Sequence, residues 1–269
     1  MIKGNEMMHM AKGGYNNMYD VNSIEESIRN LRKKFLEIRE MEYVKSVREG
    51  STGVGATFEA LLGKSEDSLE IPDFGGVEIK ARRSYSKSPV GLFNAVPTGS
   101  TFYEVKRIRD QYGYPDANDN NLKRFQAKIG ADEIVKVWLF YSFSLKVDRK
   151  KERLVLLVYD WNKVLIDDTT YWDFDILKEK LIRKLNVLAV VQAWTNRING
   201  EEYFKYYKMN VYILRDFESF LDALESGDVK VLFKTGNYYD EARYGMVRSH
   251  GVGFVIDAER LDRVFEYYR

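Results

Sequence analysis

The chain has 269 residues, of which 45% are hydrophobic and 31% charged, a composition typical of a globular protein with a substantial core. Its formal net charge is only +1, so the overall charge does not by itself indicate a nucleic-acid partner. The absence of cysteine excludes disulfide bonds, thiolate metal sites and cysteine nucleophiles, and it leads us to expect a cytoplasmic location. The sequence also lacks an apolar run long enough to cross a membrane, so we expect no membrane partner.

The N-terminal part of the chain is predicted to be a tail followed by two helices. Residues 1–20 have no continuous apolar core and are predicted to form a flexible tail rather than a signal peptide. A long helix is predicted over residues 23–48, because Ser23 and Glu26 form a capping box and apolar residues then recur at helical spacing. A short helix is predicted over residues 53–63, between a Gly-rich turn and a closing glycine.

The rest of the chain mixes strands and helices without regular alternation, which favours an α+β (mixed α/β) fold over a doubly wound sheet. Strands over residues 69–74 and 77–82 flank a Gly-Gly turn, residues 101–112 form a basic helix, and residues 114–121 form an exposed loop. The later elements are strands over residues 135–146, 153–161, 187–197, 203–214, 229–234 and 251–256, and helices over residues 173–185, 216–225 and from Asp257 onward.

The clearest chemical pattern is Ile-Pro-Asp-Phe-Gly-Gly-Val-Glu-Ile-Lys at residues 71–80. Side chains of a strand alternate between its two faces, so Glu78 and Lys80 share one face while the intervening apolar residues point into the core. The Gly-Gly turn folds the chain back and can bring Asp73 to the same end. Two carboxylates and one lysine therefore converge.

This convergence suits a magnesium-dependent phosphodiesterase. Mg²⁺ typically takes one or two carboxylates plus water and substrate phosphate, and such an ion neutralises charge on a phosphodiester and lowers the pKa of the attacking water. Lys80 would help to orient or deprotonate that water. A strand with an exposed Glu-Lys pair is a common alternative, but a Pro-Asp pair before a Gly-Gly turn favours the catalytic interpretation.

Basic residues are concentrated just after this pattern. Residues 80–109 contain seven basic residues against a single acid, and Arg82, Arg83, Lys106 and Arg107 are candidates for holding DNA phosphates. Charged runs more often simply face water, so both interpretations stay open at this point.

A second group of candidate DNA contacts lies near the C-terminus. Arg243, Arg248 and His250 fall within eight residues, beside Gly245 and Gly251. Arginine suits guanine in the major groove, so this stretch is our candidate for reading base edges. A lone histidine in a loop is as often only a surface residue.

The spacing of Pro-Asp at residues 72–73 and Glu-Ile-Lys at residues 78–80 is similar to the active-site signature of the PD-(D/E)XK nucleases. Residues 52–63, Thr-Gly-Val-Gly-Ala-Thr-Phe-Glu-Ala-Leu-Leu-Gly, resemble the Gly-rich turn and Glu-bearing helix that precede this signature in the MvaI/BcnI restriction endonucleases. Those enzymes are relatives of the mismatch-repair nicking enzyme MutH. Both elements occur in the right order, and the close match covers residues 53–83.

The resemblance implies a restriction-endonuclease-like PD-(D/E)XK core in which Asp73 and Glu78 bind the metal and Lys80 supports the nucleophile. It implies that Glu59 borders the same site, and a weaker C-terminal likeness supports a base-reading role for His250. The resemblance to this family also implies a monomer that wraps one duplex, so we expect a monomer.

We therefore predict a site-specific type II restriction endonuclease that cleaves double-stranded DNA with Mg²⁺ and is paired with a DNA methyltransferase acting on the same site. We expect a catalytic lobe over residues 21–165 and a DNA-recognition lobe over residues 166–269, with a DNA-binding cleft in this two-lobed fold. A MutH-like nicking enzyme and a non-catalytic DNA-binding module are the alternatives. The spacing between Asp73 and Glu78 suits the restriction enzymes better than MutH.

Overall fold

The structure is a computed structural model that describes residues 21–63, 72–98 and 103–269; the expected tail over residues 1–20 lies outside these ranges. The α-helices in the described ranges are α1 (Val21–Glu40), α2 (Gly53–Leu61), α3 (Tyr103–Tyr112), α4 (Phe174–Leu185) and α5 (Phe217–Glu225). The strands are β1 (Val44–Lys45), β2 (Val77–Arg83), β3 (Val90–Asn94), β4 (Tyr114–Asp116), β5 (Asp119–Ile129), β6 (Val135–Val137), β7 (Tyr141–Asp148), β8 (Arg153–Tyr159), β9 (Leu165–Asp173), β10 (Val187–Ile198), β11 (Glu201–Leu214), β12 (Val229–Asn237), β13 (Val247–Ile256) and β14 (Phe265–Tyr268). None of these helices is long and apolar enough to span a membrane.

The chain divides into two compact units whose boundaries differ from the expected lobes. The first unit comprises the described residues up to Ser88 together with Ile182–Asp216 and Phe265–Arg269, and the second comprises Pro89–Leu181 and Phe217–Val264. A single division at residue 165 therefore does not describe the chain. The physical reason is that β10 and β11, from the second half of the sequence, pair in one sheet with β2 from the first half.

The first unit is a five-stranded sheet with helices packed on one face. The strand order is β1-β11-β10-β2, with β14 also paired to β11, and β10 runs parallel to β2. Apolar residues of α1 and α2, such as Leu31 and Phe58, pack against Val77 and Ile79 of β2 in one buried cluster. Because side chains alternate along a strand, Glu78 and Lys80 of β2 point to the opposite face of the sheet.

The second unit contains two further sheets around an aromatic core. Their strand orders are β3-β13-β12-β5-β4 and β6-β7-β8-β9. Edge-on ring contacts join Phe125 to both Phe143 and Phe233, at centroid distances of 5.1 and 5.2 Å. The indole N–H of the fully buried Trp172 donates to the carbonyl of Ala95 at 2.9 Å, which satisfies the polar end of the largest core side chain.

The mixed α+β fold is confirmed, and most of the predicted elements are present. The first helix ends at Glu40 rather than at residue 48, because the chain then extends into β1, where Val44 pairs with Phe204. Residues 114–121 are not a loop but the β4–β5 hairpin. The segment after Asp257 is a short 3-10 helix followed by β14 instead of one helix, since β14 pairs with β11.

An ion pair at the end of β2 holds the first unit together. The Arg83 guanidinium donates to both carboxylate oxygens of Glu202 on β11, at 2.8 and 2.6 Å, and to the carbonyls of Gly50 and Ser51 at 2.9 and 3.0 Å. Both side chains of the pair are nearly buried, with 13% and 12% exposed. The guanidinium also lies 5.2 Å from the ring centroid of Phe204. Arg83, a predicted phosphate contact, is thus engaged inside the protein.

Replacing Arg83 should therefore destabilise the fold. Arg83→Ala leaves the Glu202 carboxylate without its partner in a nearly buried position, so we expect the free energy of unfolding to fall by about 3–5 kcal/mol. Urea unfolding followed by circular dichroism measures this. Lys45→Ala, which removes an exposed ion pair with Glu201 on the same strand, is the matched control and should change little. Equal stabilities of the two variants would contradict the structural role.

Candidate active site

The turn before β2 carries the first acidic residue of the predicted site. Phe74 and Val77 exchange backbone hydrogen bonds of 2.9 Å around Gly75 and Gly76, whose φ angles are 51° and 91°. Two positive φ angles are typical of a tight hairpin turn and favour glycine. The backbone N–H of Ile79 then donates to Asp73 Oδ2 at 2.8 Å, so the turn brings the Asp73 carboxylate back alongside β2.

Glu78 is the buried centre of this group. Only 1% of the residue is exposed, although it lies on the face of β2 opposite the apolar core. Its Oε1 atom accepts a hydrogen bond from the Lys80 ammonium and lies 3.6 Å from Lys184 Nζ. Its Oε2 atom is buried and has no hydrogen-bond partner.

The electrostatics of Glu78 reflect both its burial and its neighbours. Burial raises the pKa of the Glu78 carboxyl above its ordinary value, and the nearby Asp73 charge acts in the same direction. The positive charges of Lys80 and Lys184 lower the pKa and partly offset these effects. Two carboxylates held this close favour a cation beside them.

The donor set fits a hard divalent cation. A buried carboxylate oxygen without a partner is costly, and a metal ion would satisfy the Oε2 atom of Glu78. Among the described residues there is no cluster of three or more His, Cys, Asp or Glu side chains arranged to hold a metal. Asp73 and Glu78 would therefore supply the protein ligands, with water and phosphate completing the shell, as is common for Mg²⁺.

Lys184 is a site neighbour that the sequence did not indicate. It lies in the last turn of α4, directly before β10, and the parallel pairing of β10 with β2 places it beside Glu78. In the sequence it is one of several basic residues on a helix, a pattern typical of a solvated surface. Only the long-range strand pairing distinguishes Lys184 from its neighbours.

Glu59 is a half-buried residue of α2. This helix packs on the core face of β2. Burial raises the pKa of the Tyr206 hydroxyl, and the negative charge of Glu59 acts in the same direction. Its participation in the metal site stays a prediction.

A model of the MvaI/BcnI restriction endonuclease family matches residues 32–265. The chain belongs to the MvaI/BcnI restriction endonuclease family. It is therefore a restriction endonuclease, an enzyme that hydrolyses DNA. Restriction endonucleases of this kind generally use a divalent metal ion.

Solved structures support the same assignment. The MvaI structure described as a complex with cognate DNA substrate is 30% identical, covers 90% of this chain and 98% of its own, and has a TM-score of 0.83. The MvaI structure in the absence of DNA is 29% identical, covers 90% and 97%, and has a TM-score of 0.60. None of the curated proteins matches the chain. The expected restriction-endonuclease-like fold is confirmed.

Two of the predicted phosphate contacts of this MvaI/BcnI-family enzyme have exposed or unpaired donors. Arg82 is bound through Nη2 to the carbonyls of Ser86 and Ser88, the latter at 3.2 Å, while its buried Nη1 has no hydrogen-bond partner. Lys106 is exposed on α3 and pairs with Asp110 one turn later. Both remain candidates for phosphate binding.

Arg107 has a different environment from Lys106. Its guanidinium donates to Asp167 at 2.7 Å, to Thr170 at 2.7 Å and to Glu104 at 3.0 Å, and only 20% of its side chain is exposed. These contacts occupy most of its donors within the second unit. The structure thus gives Arg107 an internal role, and its contact with DNA stays a prediction.

The predicted base-reading residues lie on or near the connection between β12 and β13. Arg243 is half exposed, pairs with Asp240 at 2.9 Å and lies 3.9 Å from the ring centroid of Tyr238. Arg248 lies 5.7 Å from the same ring, and His250 follows on β13. Two arginines therefore share one aromatic ring in this segment.

A buried polar network anchors this segment. The Asn237 side chain accepts from Arg109 Nη1 at 2.7 Å and donates to Asp116 Oδ2 at 2.7 Å and to the Lys123 carbonyl at 2.8 Å. Arg109 also donates to the Gly245 carbonyl at 3.1 Å. Because Asn237 precedes the connection and Gly245 lies near its end, the network fixes both sides of it.

We expect Asn237→Ala to loosen this connection. The substitution removes one hydrogen bond from each of the buried side chains of Arg109 and Asp116 and leaves the Lys123 carbonyl without the Asn237 donor, so the free energy of unfolding should fall by about 1–3 kcal/mol. Amide hydrogen exchange should become faster in residues 238–246. Asn162→Ala, at an exposed turn of the same unit, is the control. Unchanged stability and exchange in Asn237→Ala would show that the network does not anchor the segment.

Proposed function

We propose that this restriction endonuclease cleaves both strands of duplex DNA at a specific sequence by Mg²⁺-dependent hydrolysis, with Asp73, Glu78 and Lys80 at the reaction centre. The observation that carries the proposal is the buried Glu78 carboxylate, which has one oxygen held by lysines and the other without a partner. A purely structural carboxylate would have both oxygens satisfied. The MvaI complex with its cognate DNA substrate supports duplex DNA as the substrate.

The side chains at the reaction centre would have different roles in hydrolysis. Asp73 and Glu78 would hold the ion, and Mg²⁺, when bound, neutralises charge on the phosphodiester and lowers the pKa of water. The Lys80 ammonium, held by Glu78 Oε1 and about one-third exposed at 32%, can reach the attacking water and orient it. Lys184 places a second positive charge beside the same oxygen, which lowers the pKa of the Glu78 carboxyl against the larger upward effect of burial.

DNA binding would use residues outside this centre. We propose that Arg82 and Lys106 hold phosphates, since Arg82 follows Lys80 on the same face of β2 and Lys106 is exposed. Contacts with phosphate position the enzyme without reading sequence. Base readout would come from Arg243, Arg248 and His250, in the segment anchored by the buried network.

We further propose that the enzyme acts as a cytoplasmic monomer that cuts the strands one after the other, and that a methyltransferase protects the same site in the host DNA. Light scattering measures the mass directly, and a nicked plasmid should appear before the linear product. A MutH-like enzyme would stop at the nicked stage.

Loss of the proposed metal ligand should abolish cleavage without abolishing binding. We expect Asp73→Ala to give no detectable product from plasmid DNA with Mg²⁺, and Lys80→Ala to lower the rate by about 10²- to 10⁴-fold. Both variants should still bind duplex DNA in an electrophoretic mobility assay, because the phosphate contacts remain. Ca²⁺ should keep the wild-type complex bound and uncut.

Lys33→Ala is the matched control for Lys80→Ala. Lys33 is exposed on α1, and α1 packs against the opposite face of the sheet, so its removal should leave the rate unchanged. Full cleavage by Asp73→Ala would remove the basis for the metal assignment.

Arg248 and Lys106 should differ in the kind of binding that they support. Arg248→Ala should lose roughly 1–3 kcal/mol of discrimination between the cleaved sequence and a scrambled one. Lys106→Ala should weaken both duplexes alike and lower the slope of log affinity against log salt by about 0.9. Binding curves on both duplexes at several salt concentrations separate the two effects. If Arg248→Ala keeps its sequence preference, base readout by Arg248 is wrong.

A further inference from the structure

A pair of stacked aromatic rings, one exposed and one half-buried, lies on the hairpin formed by β10 and β11. The rings of Trp194 and Tyr207 have centroids 4.4 Å apart and are inclined by only 12°. Trp194 is nevertheless 46% exposed, which is unusual for the largest apolar side chain on a sheet. One ring face is thus covered by Tyr207, and a large part of the indole still faces solvent.

A β-bulge creates this pair. The register between β10 and β11 shifts after Gln192, which pairs with Lys208, so that Tyr207 is an extra residue on β11. Tyr206 then points into the core, with 1% exposed, and Tyr207 turns to the other face. The Tyr207 hydroxyl donates to Gln192 Oε1 at 2.8 Å, which fixes the ring that supports Trp194.

The pair lies on the same face of the sheet as the reaction centre. In the parallel pairing, Val190 of β10 lies beside Lys80 of β2, and Gln192 lies beside Arg82. Strand alternation then puts Trp194 on the Glu78–Lys80 face, because Val190, Gln192 and Trp194 are two residues apart. Along β10, the four-residue step from Val190, beside Lys80, to Trp194 spans about 13 Å at roughly 3.3 Å per residue.

This spacing matches the dimensions of a bound duplex. A distance of about 13 Å corresponds to roughly four base-pair steps of 3.4 Å along the axis of DNA. A duplex whose axis runs along β10, with a phosphate at Lys80, therefore passes within reach of the Trp194 ring. The charge around the rings is also suitable, since Lys208, across the hairpin from Gln192, is exposed. Continuity with the catalytic face thus favours DNA over another protein as the occupant.

We propose that Trp194, supported by Tyr207 and Gln192, packs its exposed ring against the deoxyriboses of the bound duplex beside the scissile phosphate and so positions the substrate. The inference rests on the proposed catalytic role of the Glu78–Lys80 face. Deoxyriboses present the same apolar surface at every base pair, so the contact does not depend on sequence. Trp194 is a positioning residue, and it takes no part in the chemistry.

Binding of a fluorescein-labelled 30-base-pair duplex of arbitrary sequence, at low salt without Mg²⁺, tests the proposal. Trp194→Ala should weaken binding by about tenfold or more, because the apolar area that the indole buries against the deoxyriboses is lost. Trp194→Phe, which keeps a ring, should recover most of the affinity. The slope of log affinity against log salt should not change, because the ring displaces no counterions.

Trp161→Ala is the matched control, since Trp161 is 74% exposed but lies in the second unit, outside the sheet of the first unit. It should bind the duplex like wild type. Wild-type affinity in Trp194→Ala, an equal loss in Trp161→Ala, or no recovery in Trp194→Phe would each overturn the proposal. A fall in thermal stability that accounts for the weaker binding would also overturn it.

Plasmid cleavage by the wild-type enzyme with Mg²⁺ is measured in the same series. If cleavage fails but Trp194→Ala still weakens duplex binding, the catalytic proposal is wrong and the DNA-contact surface stands. If cleavage occurs and Trp194→Ala binds normally, only the inference about Trp194 is wrong.

Discussion

The first unit depends on the parallel pairing of β2 with β10. This pairing sets Val187 beside Val77 and continues to Ala193 beside Arg83. It buries the apolar face of β2 under α1 and α2 and leaves the acidic face beside the last turn of α4. This one contact between distant segments positions the reaction centre and Lys184. It also sets the position of Trp194 and Tyr207 relative to that centre.

Charge balance around one carboxylate is the second constraint. Burial alone would favour the neutral form of Glu78, and Asp73 adds to that tendency. Lys80 and Lys184 act in the opposite direction from two different elements. The site therefore has two carboxylates and two lysines close together, with one oxygen of Glu78 still unsatisfied, an arrangement that favours a divalent cation.

Sequence analysis predicted the contacts between residues that are close in the sequence and missed those between residues that are far apart. The approach of Asp73 to Glu78 follows from a glycine turn and strand alternation within a few residues, so it could be predicted. The position of Lys184 requires the β2–β10 pairing, and that of Tyr207 requires a bulge, neither of which leaves a local pattern. Arg83 was predicted to hold phosphate because it lies in a basic stretch. Its acidic partner, Glu202, is far away in the sequence and could not be recognised without the fold.

The two-part composition of the first unit has a consequence for biosynthesis. During translation, β2 leaves the ribosome before all of β3–β9, whereas its partner β10 follows only after them. Until that later strand is made, the acidic strand has no parallel neighbour and Glu78 has no buried position. A nascent or truncated polypeptide that ends before β10 therefore lacks the assembled centre. Assembly of the centre is thus a late step in the synthesis of the chain, since domains fold as units once all their strands have been made.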